Sequence, residues 1–483
     1  MDTLQIIKAS ISHLIPAITL LLGGSLLMCA SVFSTSSTRH DIHGQRFRFG
    51  ALSLALLLLA MVLSYLRGVP KLDPMDLGLF RFDASAIAAE RLTFIGGLIL
   101  VLMSWSTAPK GKLPEYYGCL LILLSAIPIV GASNDLVSLF LGLELVSIPT
   151  YILLGIVKTD NTGAEAALKY FLLSAFASCF FLLGLSYLYG VTGSTNLVII
   201  QDGYSEGKRL MALALLLTMC GLSFRITAVP FHFYAPDVFD GTSVTLAGIM
   251  SYLPKVAGFV ALVRLIGEGG LSENGRNVIL PVLLVCAALT MCVGNLMASA
   301  QNNLRRLLAY SSIAHTGYLL LALVALLRQD ASANVLYSYL AAYAAMTLGM
   351  FACLGEIEAA GGRSHLIGDL TGMFYRRPAA SIGLTVALLS LIGLPLTAGF
   401  WAKFFVFVGV VADRQTDSFS MWMAVLMAFN AVVAAGYYWR ILSTLFEKSE
   451  STLPLRVFRP SLFLAYTICT VLTIVWFFVP SIL

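Results

Sequence analysis

Five ionisable residues lie deep inside apolar segments of this sequence, where a charge is costly. They are one acid, Glu144, and four bases, Lys169, Arg225, Lys255 and Lys403. In hydrocarbon, such residues face a protein interior or a water-filled cavity and mark the paths of ions or protons. We therefore expect the three lysines to carry protons rather than only to pack.

Three further arginines inside apolar segments have simpler explanations. Arg264 and Arg440 lie near segment ends, where a long side chain reaches the membrane surface or pairs with a loop. Arg91 follows Glu90 and is expected to pair with that carboxylate or with a neighbouring helix. Glu144 is then predicted to be the single buried acid.

The deep residues suit a proton relay that runs laterally through the membrane. Burial disfavours the charged form of an amine, and a nearby carboxylate favours it. Separation of a pair such as Glu144 with Arg225 or Lys169 would therefore push a proton onward. His232 and His315 are candidates for water-bridged steps because histidine titrates near neutrality, with hydrogen-bonded packing as the alternative for both. The predicted line runs through Glu144, Lys169, Lys255, His315 and Lys403.

The elements that must position these residues are membrane-spanning helices. The 483 residues are 59% hydrophobic and 11% charged, whereas soluble proteins carry roughly 25% charged residues. Apolar runs of about 20 residues predict an all-α polytopic membrane protein with about fourteen transmembrane helices. These are predicted near 11–33, 49–66, 84–105, 116–133, 135–157, 163–190, 208–234, 243–266, 276–299, 303–327, 332–355, 379–411, 419–446 and 459–480.

Two of the predicted spans are interrupted by proline. The stretch R-I-T-A-V-P-F-H-F-Y-A-P-D-V-F-D-G (225–241) places Pro230 and Pro236 where a helix should continue, and each proline removes a donor and clashes with the preceding turn. The span 379–411 is interrupted near Pro395. A broken helix in a membrane is tolerated only where protein or a water-filled cavity satisfies the freed backbone groups.

The two breaks predict inverted repeats. They lie five spans apart, an odd number, so equivalent segments would cross the membrane in opposite directions. Paired broken helices of this kind indicate a transport path. The predicted divisions are a three-helix segment (1–113), a first antiporter-like repeat of helices 4–8 (114–267), a second repeat of helices 9–13 (268–447) and a C-terminal helix (448–483).

Loop charges and missing motifs give two further expectations. Loop arginines and lysines are more numerous on the side opposite the termini, so the positive-inside rule predicts both termini on the outer side. The sequence has no phosphate-binding glycine loop, no cysteine ligand set and no haem-like histidine pair. We therefore expect no metal and no cofactor bound by this chain.

Four motifs in order resemble the antiporter-like membrane subunits of respiratory complex I. The sequence is most similar to the subunit N family of bacterial NADH–quinone oxidoreductase, which corresponds to mitochondrial subunit 2. The motifs are L-F-L-G-L-E-L-V-S-I-P (139–149), A-V-P-F-H-F-Y-A-P-D-V-F-D-G (228–241), N-N-L-R-R-L-L-A-Y-S-S-I-A-H-T-G-Y (302–318) and G-L-P-L-T-A-G-F-W-A-K-F (393–404).

The resemblance implies fourteen helices with two inverted five-helix repeats, in the bacterial inner membrane beside antiporter-like neighbours and other membrane-arm subunits. It implies a subunit of a proton-translocating NADH:quinone oxidoreductase in which quinone reduction elsewhere drives proton pumping here. NADH, FMN, iron–sulfur clusters and quinone would be bound by other subunits, and no nucleic acid would be involved.

The resemblance also implies roles for single residues. Family proton-relay positions fall on Glu144, Lys169, Lys255 and Lys403. Where the family usually has lysine before the A-V-P-F-H break, this sequence has Arg225. A guanidinium is effectively always charged, so Arg225 is expected to act as a gate and fixed counter-charge rather than as a proton carrier.

Two other functions remain open from the sequence. A subunit of a multi-component sodium/proton antiporter would use the same repeats without redox partners. A structural membrane subunit would use the buried charges only to hold helices together. Co-purification with NADH–quinone activity and the effect of Lys255→Ala on pumping distinguish these alternatives.

Overall fold

The structure is a computed structural model that describes residues 3–33, 42–67, 75–76, 78–157, 160–202, 208–266, 273–329, 333–359, 364–411, 418–448 and 458–480. Its first ten helices are α1 (Thr3–Phe33), α2 (Ile42–Arg67), α3 (Ala84–Thr107), α4 (Leu113–Ala132), α5 (Leu136–Val157), α6 (Asn161–Thr192), α7 (Leu197–Asp202), α8 (Lys208–Arg225), α9 (Ala235–Asp240) and α10 (Val244–Ile266). They are followed by α11 (Glu273–Ser299), α12 (Leu304–Gln329), α13 (Asn334–Ala359), α14 (Met373–Arg376), α15 (Pro378–Ile392), α16 (Ala398–Val411), α17 (Ser418–Phe446) and α18 (Pro460–Phe478).

The all-α fold class is confirmed. Within the described ranges, strand structure is confined to one antiparallel pair, β1 (Met75–Asp76) and β2 (Arg81–Phe82), with Met75 opposite Phe82, and to three isolated bridges. A short 3₁₀ helix, Ile367–Leu370, precedes α14.

The polytopic membrane architecture is also confirmed. Twelve helices of the described chain are long and apolar enough to cross a membrane. The predicted broken span 379–411 consists of two shorter apolar helices, α15 and α16, and the span 208–234 contains α8 followed by an irregular segment. The total of fourteen spans, the inverted repeats and the predicted domain boundaries stay predictions.

The predicted orientation also stays a prediction. Its evidence is the distribution of charged loop residues, and a number of these lie outside the described part of the chain. They are Arg39, Lys71, Lys158, Arg363, Arg414 and Arg456.

Local sequence signals explain where several helices begin and end. The Asp160 carboxylate accepts a hydrogen bond from the Gly163 amide at the start of α6, as expected of an N-cap residue. The same helix ends at Thr192 and is followed by Gly193, whose φ of 67° lies in the left-handed region that favours glycine. Helices α4, α15 and α18 each have proline in the first turn, where its missing amide hydrogen is not needed.

The described chain divides into two compact units. Unit 1 comprises Met1–Val101, Ala108–Ile226 and Leu253–Ile279. In it, α4 packs against α1 and α5, and α6 packs against α8. The α6–α8 contact is very close, because a Cβ atom added at Gly221 would lie 2.9 Å from the Ala177 carbonyl oxygen. Small residues allow such close helix approach in membranes.

Unit 2 comprises Leu102–Thr107, Thr227–Tyr252 and Leu280–Leu483. Its centre is formed by α12 and α13, whose apolar windows are fully buried. Helix α13 packs against α15, α16 and α18, and α12 packs against α9 and α16. The two halves of the second broken span therefore contact the two most buried helices of this unit.

Candidate functional site

The first helix break begins directly after Arg225. Helix α8 ends at this residue, and an irregular turn leads to α9 at Ala235. One freed backbone group in the turn has a partner, because the Val229 amide donates to the Thr290 hydroxyl over 3.0 Å. Pro230 lies in the break as predicted. Pro236 instead stands in the first turn of α9, where proline favours helix initiation.

The Arg225 guanidinium is paired with Glu144. Its Nη2 lies 2.7 Å from Glu144 Oε1, and the side chains are 6% and 22% exposed. The same Nη2 donates to the Ser178 hydroxyl over 3.2 Å, and that hydroxyl donates to Glu144 Oε1 over 2.8 Å. Nη1 donates to the Leu143 carbonyl and to the Ser147 hydroxyl. The predicted Glu144–Arg225 pair is therefore present, and α5, α6 and α8 all contribute to it.

Lys169 lies on α6 in a different setting from that of Arg225. Its Nζ lies 2.7 Å from Glu165 Oε1, one helical turn earlier, and its side chain is 40% exposed. The prediction of a deeply buried lysine at this position is therefore wrong for the isolated chain. The serines expected near Lys169 serve other groups, because Ser178 contacts Glu144 and Ser174 accepts a hydrogen bond from Tyr151.

Lys255 is among the most buried charged side chains of the described chain. It lies on α10 directly after Pro254 and is 2% exposed. One turn later, a Cβ atom at Gly258 would lie 2.5 Å from a side-chain carbon of Ile226. Helix α10 therefore packs tightly against the residue that follows Arg225, and Lys255 lies close to this contact along the helix.

Lys403 closes the second helix break. Helix α15 ends at Ile392, and the next residue, Gly393, has a φ of 90°. From α16, the Lys403 ammonium donates to the carbonyl oxygens of Leu391 and Ile392 over 2.7 Å and 2.8 Å. A helix C-terminus carries partial negative charge and unpaired carbonyls. The break thus supplies the acceptors that this buried ammonium needs.

His315 lies in a polar network on the buried face of α12. Its Nδ1 lies 2.8 Å from the Tyr339 hydroxyl, and its Nε2 lies 3.5 Å from the Tyr438 hydroxyl. The Tyr438 hydroxyl also pairs with Ser311. His315 is 1% exposed, and its ring nitrogens lie against hydroxyl groups that can each donate or accept a hydrogen bond.

A second set of polar groups extends from α12 towards Lys403. Asn295 donates to the Tyr318 hydroxyl over 3.3 Å and accepts from the Tyr437 hydroxyl over 3.1 Å. Lys403 Nζ lies 5.2 Å from the centre of the Tyr318 ring, a cation–π distance. Tyr437 and Tyr438 are adjacent on α17, and their ring centres are 4.4 Å apart. Lys403 and His315 are thus connected through aromatic and amide groups of one unit.

His232 lies in the first break and is half-buried. Its carbonyl accepts a hydrogen bond from the Ala235 amide over 3.1 Å, at the start of α9. Its ring packs edge-on against Phe233, with 6.5 Å between ring centres. These contacts suit a residue that shapes the turn, and the relay role of His232 stays a prediction.

The short helix α9 is held against the beginning of α12 by charged groups. Arg306 Nη1 lies 3.0 Å from Asp237 Oδ1, and Asn303 donates to Asp240 over 2.8 Å. Arg305 donates to the Thr242 carbonyl. Two of the recognised motifs, 228–241 and 302–318, therefore meet here, a pairing that sequence reasoning did not anticipate.

Sequence reasoning also missed several buried acids. The prediction that Glu144 is the single buried acid is wrong, because Glu90 is 5% and Glu356 is 1% exposed. Glu356 lies 3.4 Å from Arg377. Glu356 lies one residue beyond the predicted span 332–355, so a small shift of that boundary would have included it.

The simpler explanations for the arginines have mixed outcomes. Glu90 pairs with Arg67 over 2.8 Å, and its other oxygen has no partner among the described residues. The local pair of Glu90 with Arg91 is therefore wrong, whereas the alternative, pairing of Arg91 with a neighbouring helix, stays a prediction. Arg264 pairs with Asp83, which lies before α3, over 2.6 Å, and Arg440 donates to the Gln301 carbonyl. Pairing of these last two arginines with loop residues is therefore confirmed.

Comparison with known proteins assigns this chain to a family. Residues 133–433 match the family described as "NADH:quinone oxidoreductase/Mrp antiporter, TM". "NADH-quinone oxidoreductase subunit N 1" of Solibacter usitatus is 35% identical over 424 residues, which cover 86% of this chain and 85% of that protein.

Solved structures give the same fold. A chain of respiratory complex I from Thermus thermophilus with bound aureothin is 31% identical, with a TM-score of 0.78 and coverage of 96% of this chain and 97% of that chain. A chain of the Mrp complex from Dietzia sp. has a TM-score of 0.81 at 19% identity, covering 98% of this chain and 95% of that chain. At that identity the likeness concerns the fold alone. The match over residues 133–433 and the identity to subunit N over most of the chain show that this protein belongs to the subunit N family of NADH–quinone oxidoreductase.

Proposed function

We propose that this chain translocates protons as a membrane-arm subunit of a NADH–quinone oxidoreductase, with quinone reduction elsewhere in the complex as the energy source. The observation that carries the proposal is the buried cation at each helix break. Arg225 ends α8 and pairs with Glu144, and Lys403 holds the carbonyls that end α15. Buried charge at a broken helix is expected of a transport path.

Glu144 and Arg225 act as the gate of the relay. Arg225 keeps its proton at all times, so its contribution is a fixed positive charge. While the pair is closed, Glu144 is neutralised by this charge. When the pair opens, the uncompensated charges alter the protonation of groups nearby, and a proton moves.

Lys255, His315 and Lys403 carry the proton. A buried amine lacks water to stabilise its charge, so its protonation depends on the charges and dipoles around it. Lys255 is the central carrier, and Lys403 is the carrier on the exit side. His315 transfers the proton between them with its hydroxyl partners Tyr339 and Tyr438. Lys169 and Glu165 form a more exposed ion pair on α6 that exchanges protons with the relay. His232 acts as a hinge of the first break.

The family of the chain supports a proposed setting. It works as a multi-pass subunit beside antiporter-like neighbours in the membrane arm, and other subunits bind NADH, FMN, iron–sulfur clusters and quinone. The proposed membrane is the bacterial inner membrane, and the loop charges favour both termini on its outer side. The chemistry of this chain is then proton movement, and electron transfer occurs elsewhere in the complex.

Replacement of the central lysine tests the proposal. Lys255→Met keeps the apolar stem and removes the amine, so we expect NADH-driven proton uptake in inverted membrane vesicles to fall to a small fraction of the wild-type value. Complex assembly, followed by native gel electrophoresis, should be unchanged. The control is Lys110→Met, because Lys110 is exposed between α3 and α4. Normal pumping by a fully assembled Lys255→Met complex would contradict the relay.

Co-purification separates the proposal from the sodium/proton antiporter alternative. An affinity-tagged chain should bring down subunits with NADH–quinone activity. Recovery with an antiporter assembly that lacks this activity would show that the redox partners are wrong, whatever the result for Lys255.

A further inference from the structure

Helices α2 and α3 carry a groove that the relay does not use. It lies in unit 1 between the end of α2 and the first half of α3 and has a volume of about 320 Å³. We call it the α2–α3 groove. It is lined by Met61, Ser64, Tyr65, Arg67, Ile87, Arg91 and Phe94.

The groove has two arginine side chains beside an apolar wall. Arg67 and Arg91 are charged, Met61, Ile87 and Phe94 are apolar, and none of the described residues that line the groove is acidic. Arg67 already has its own counter-charge, because its Nη2 lies 2.8 Å from Glu90 Oε2. The positive charge of Arg91 has none, because Arg91 forms no ion pair or hydrogen bond within the described residues.

The position of the two arginines along their helices suits the membrane surface. Arg67 is the last residue of α2, and Arg91 is seven residues after Ala84, the first residue of α3. Seven residues of helix correspond to about 10 Å, a depth from which an arginine side chain reaches the headgroup region. Tyr65 is 86% exposed, as expected of an aromatic residue at a membrane interface.

We propose that the α2–α3 groove binds an anionic glycerophospholipid, with the headgroup phosphate at Arg91, beside the Arg67–Glu90 pair, and an acyl chain along Met61, Ile87 and Phe94. Arginine suits phosphate because its planar N–H donors match the phosphate oxygens. A zwitterionic lipid is disfavoured, because its ammonium group would find no carboxylate among the described residues that line the groove. Phosphatidylglycerol and cardiolipin share the required chemistry, because each carries phosphate and no ammonium group.

Native mass spectrometry of the full-length protein, purified with its accompanying subunits, tests the proposal. The delipidated sample is titrated with phosphatidylglycerol, cardiolipin and phosphatidylethanolamine in separate series. We expect Arg91→Gln to weaken binding of one anionic lipid by about tenfold, because a hydrogen bond to a charged group is lost. The matched control is Arg209→Gln, which removes an exposed arginine at the start of α8, outside the groove.

A second variant tests the acyl-chain part of the groove. Met61→Trp keeps both arginines and fills space beside them, so it should also lose one bound anionic lipid. Equal lipid binding by Arg91→Gln and Arg209→Gln would overturn the proposal, as would equal affinity for phosphatidylethanolamine. If Met61→Trp instead releases a neighbouring subunit while the lipid count stays the same, the groove is a protein interface and the lipid proposal is wrong.

Discussion

At the scale of single residues, one guanidinium serves four acceptors. Arg225 donates to Glu144 Oε1, the Leu143 carbonyl and the hydroxyls of Ser147 and Ser178. A lysine at this position has three donors on a single nitrogen, and the planar fork of arginine spans acceptors on different helices. Arginine therefore holds this site together more firmly than lysine would. Unlike lysine, it cannot release a proton.

Two substitutions at position 225 separate the charge from the hydrogen bonds. If Arg225 acts as a fixed counter-charge, Arg225→Lys should keep proton pumping and lower the free energy of unfolding by about 1 kcal/mol for the lost hydrogen bonds. Arg225→Gln should lose pumping as well as stability, because Glu144 is left without a positive partner, at a cost of about 3 kcal/mol. Proton uptake in vesicles and unfolding in mixed micelles measure the two effects. Equal pumping by both variants would exclude the gate role of the charge.

At the scale of elements, the second break depends on a close approach of two helices. Gly393 ends α15 with a φ of 90°, a conformation that disfavours residues with a side chain. A Cβ atom there would lie 2.9 Å from Lys403 Cδ. Glycine therefore allows both the sharp end of α15 and the approach of Lys403 to the last carbonyls of that helix.

We expect Gly393→Ala to weaken this arrangement. The left-handed backbone costs about 1–2 kcal/mol with a side chain present, and the added methyl group pushes Lys403 away from Leu391 and Ile392. Thermal unfolding should occur at a lower temperature, and pumping should fall. Gly155→Ala is the control, because an added Cβ there meets nothing within 4 Å. A Gly393→Ala protein as active and stable as this control would show that the contact with Lys403 is dispensable.

At the scale of the whole molecule, segments far apart in sequence are joined by buried ion pairs. Arg264, at the end of α10, donates to both carboxylate oxygens of Asp83 over 2.7 Å and 2.6 Å. The Arg264 Nε donates to the Gly131 carbonyl at the end of α4. The Gln201 side-chain amide donates to the backbone carbonyl of Arg264. Within unit 1, one arginine thus connects the segment before α3 with the ends of α4, α7 and α10.

This connection makes stability depend on pH. Burial alone raises the pKa of Asp83, but the charge and hydrogen bonds of Arg264 outweigh burial and hold this pKa below its ordinary value. A lowered pKa contributes stability above the unfolded value, which is about 3.9 for Asp, and this contribution is lost as pH falls through the folded pKa. The unfolding midpoint of the wild type should therefore drop in acid, and that of Asp83→Asn should drop less.

The contribution of the Asp83–Arg264 pair to stability can be compared with that of Arg81, which contacts the same carboxylate. Asp83→Asn leaves Arg264 buried without a counter-charge and should cost about 3 kcal/mol near neutral pH. Arg81 contacts the same carboxylate over 3.3 Å, and its side chain is 30% exposed. Arg81→Gln should therefore cost less than about 1 kcal/mol. Unfolding in mixed micelles measures both variants, and similar losses would mean that Arg264 does not dominate this site.

The sequence alone was sufficient for properties that depend on local chemistry. Long apolar runs require membrane-spanning helices, because backbone groups in lipid must pair within their own segment. Proline near positions 230 and 395 marks both helix breaks, because it cannot continue the hydrogen-bond ladder. The burial of Arg225 and Lys255 also followed from the positions of these residues within apolar segments. The family followed from the order of four motifs.

Only the tertiary structure decided which charges pair and how deeply each is buried. Lys169 and Glu165 share a half-exposed helix face, Glu90 pairs with Arg67 from another helix, and Lys403 contacts carbonyl oxygens of α15. The physical reason is that these helices are apolar on nearly all sides, so their sequence does not indicate which face meets which neighbour. Partners of buried charges are chosen by helix packing, and packing depends on residues far apart in the chain.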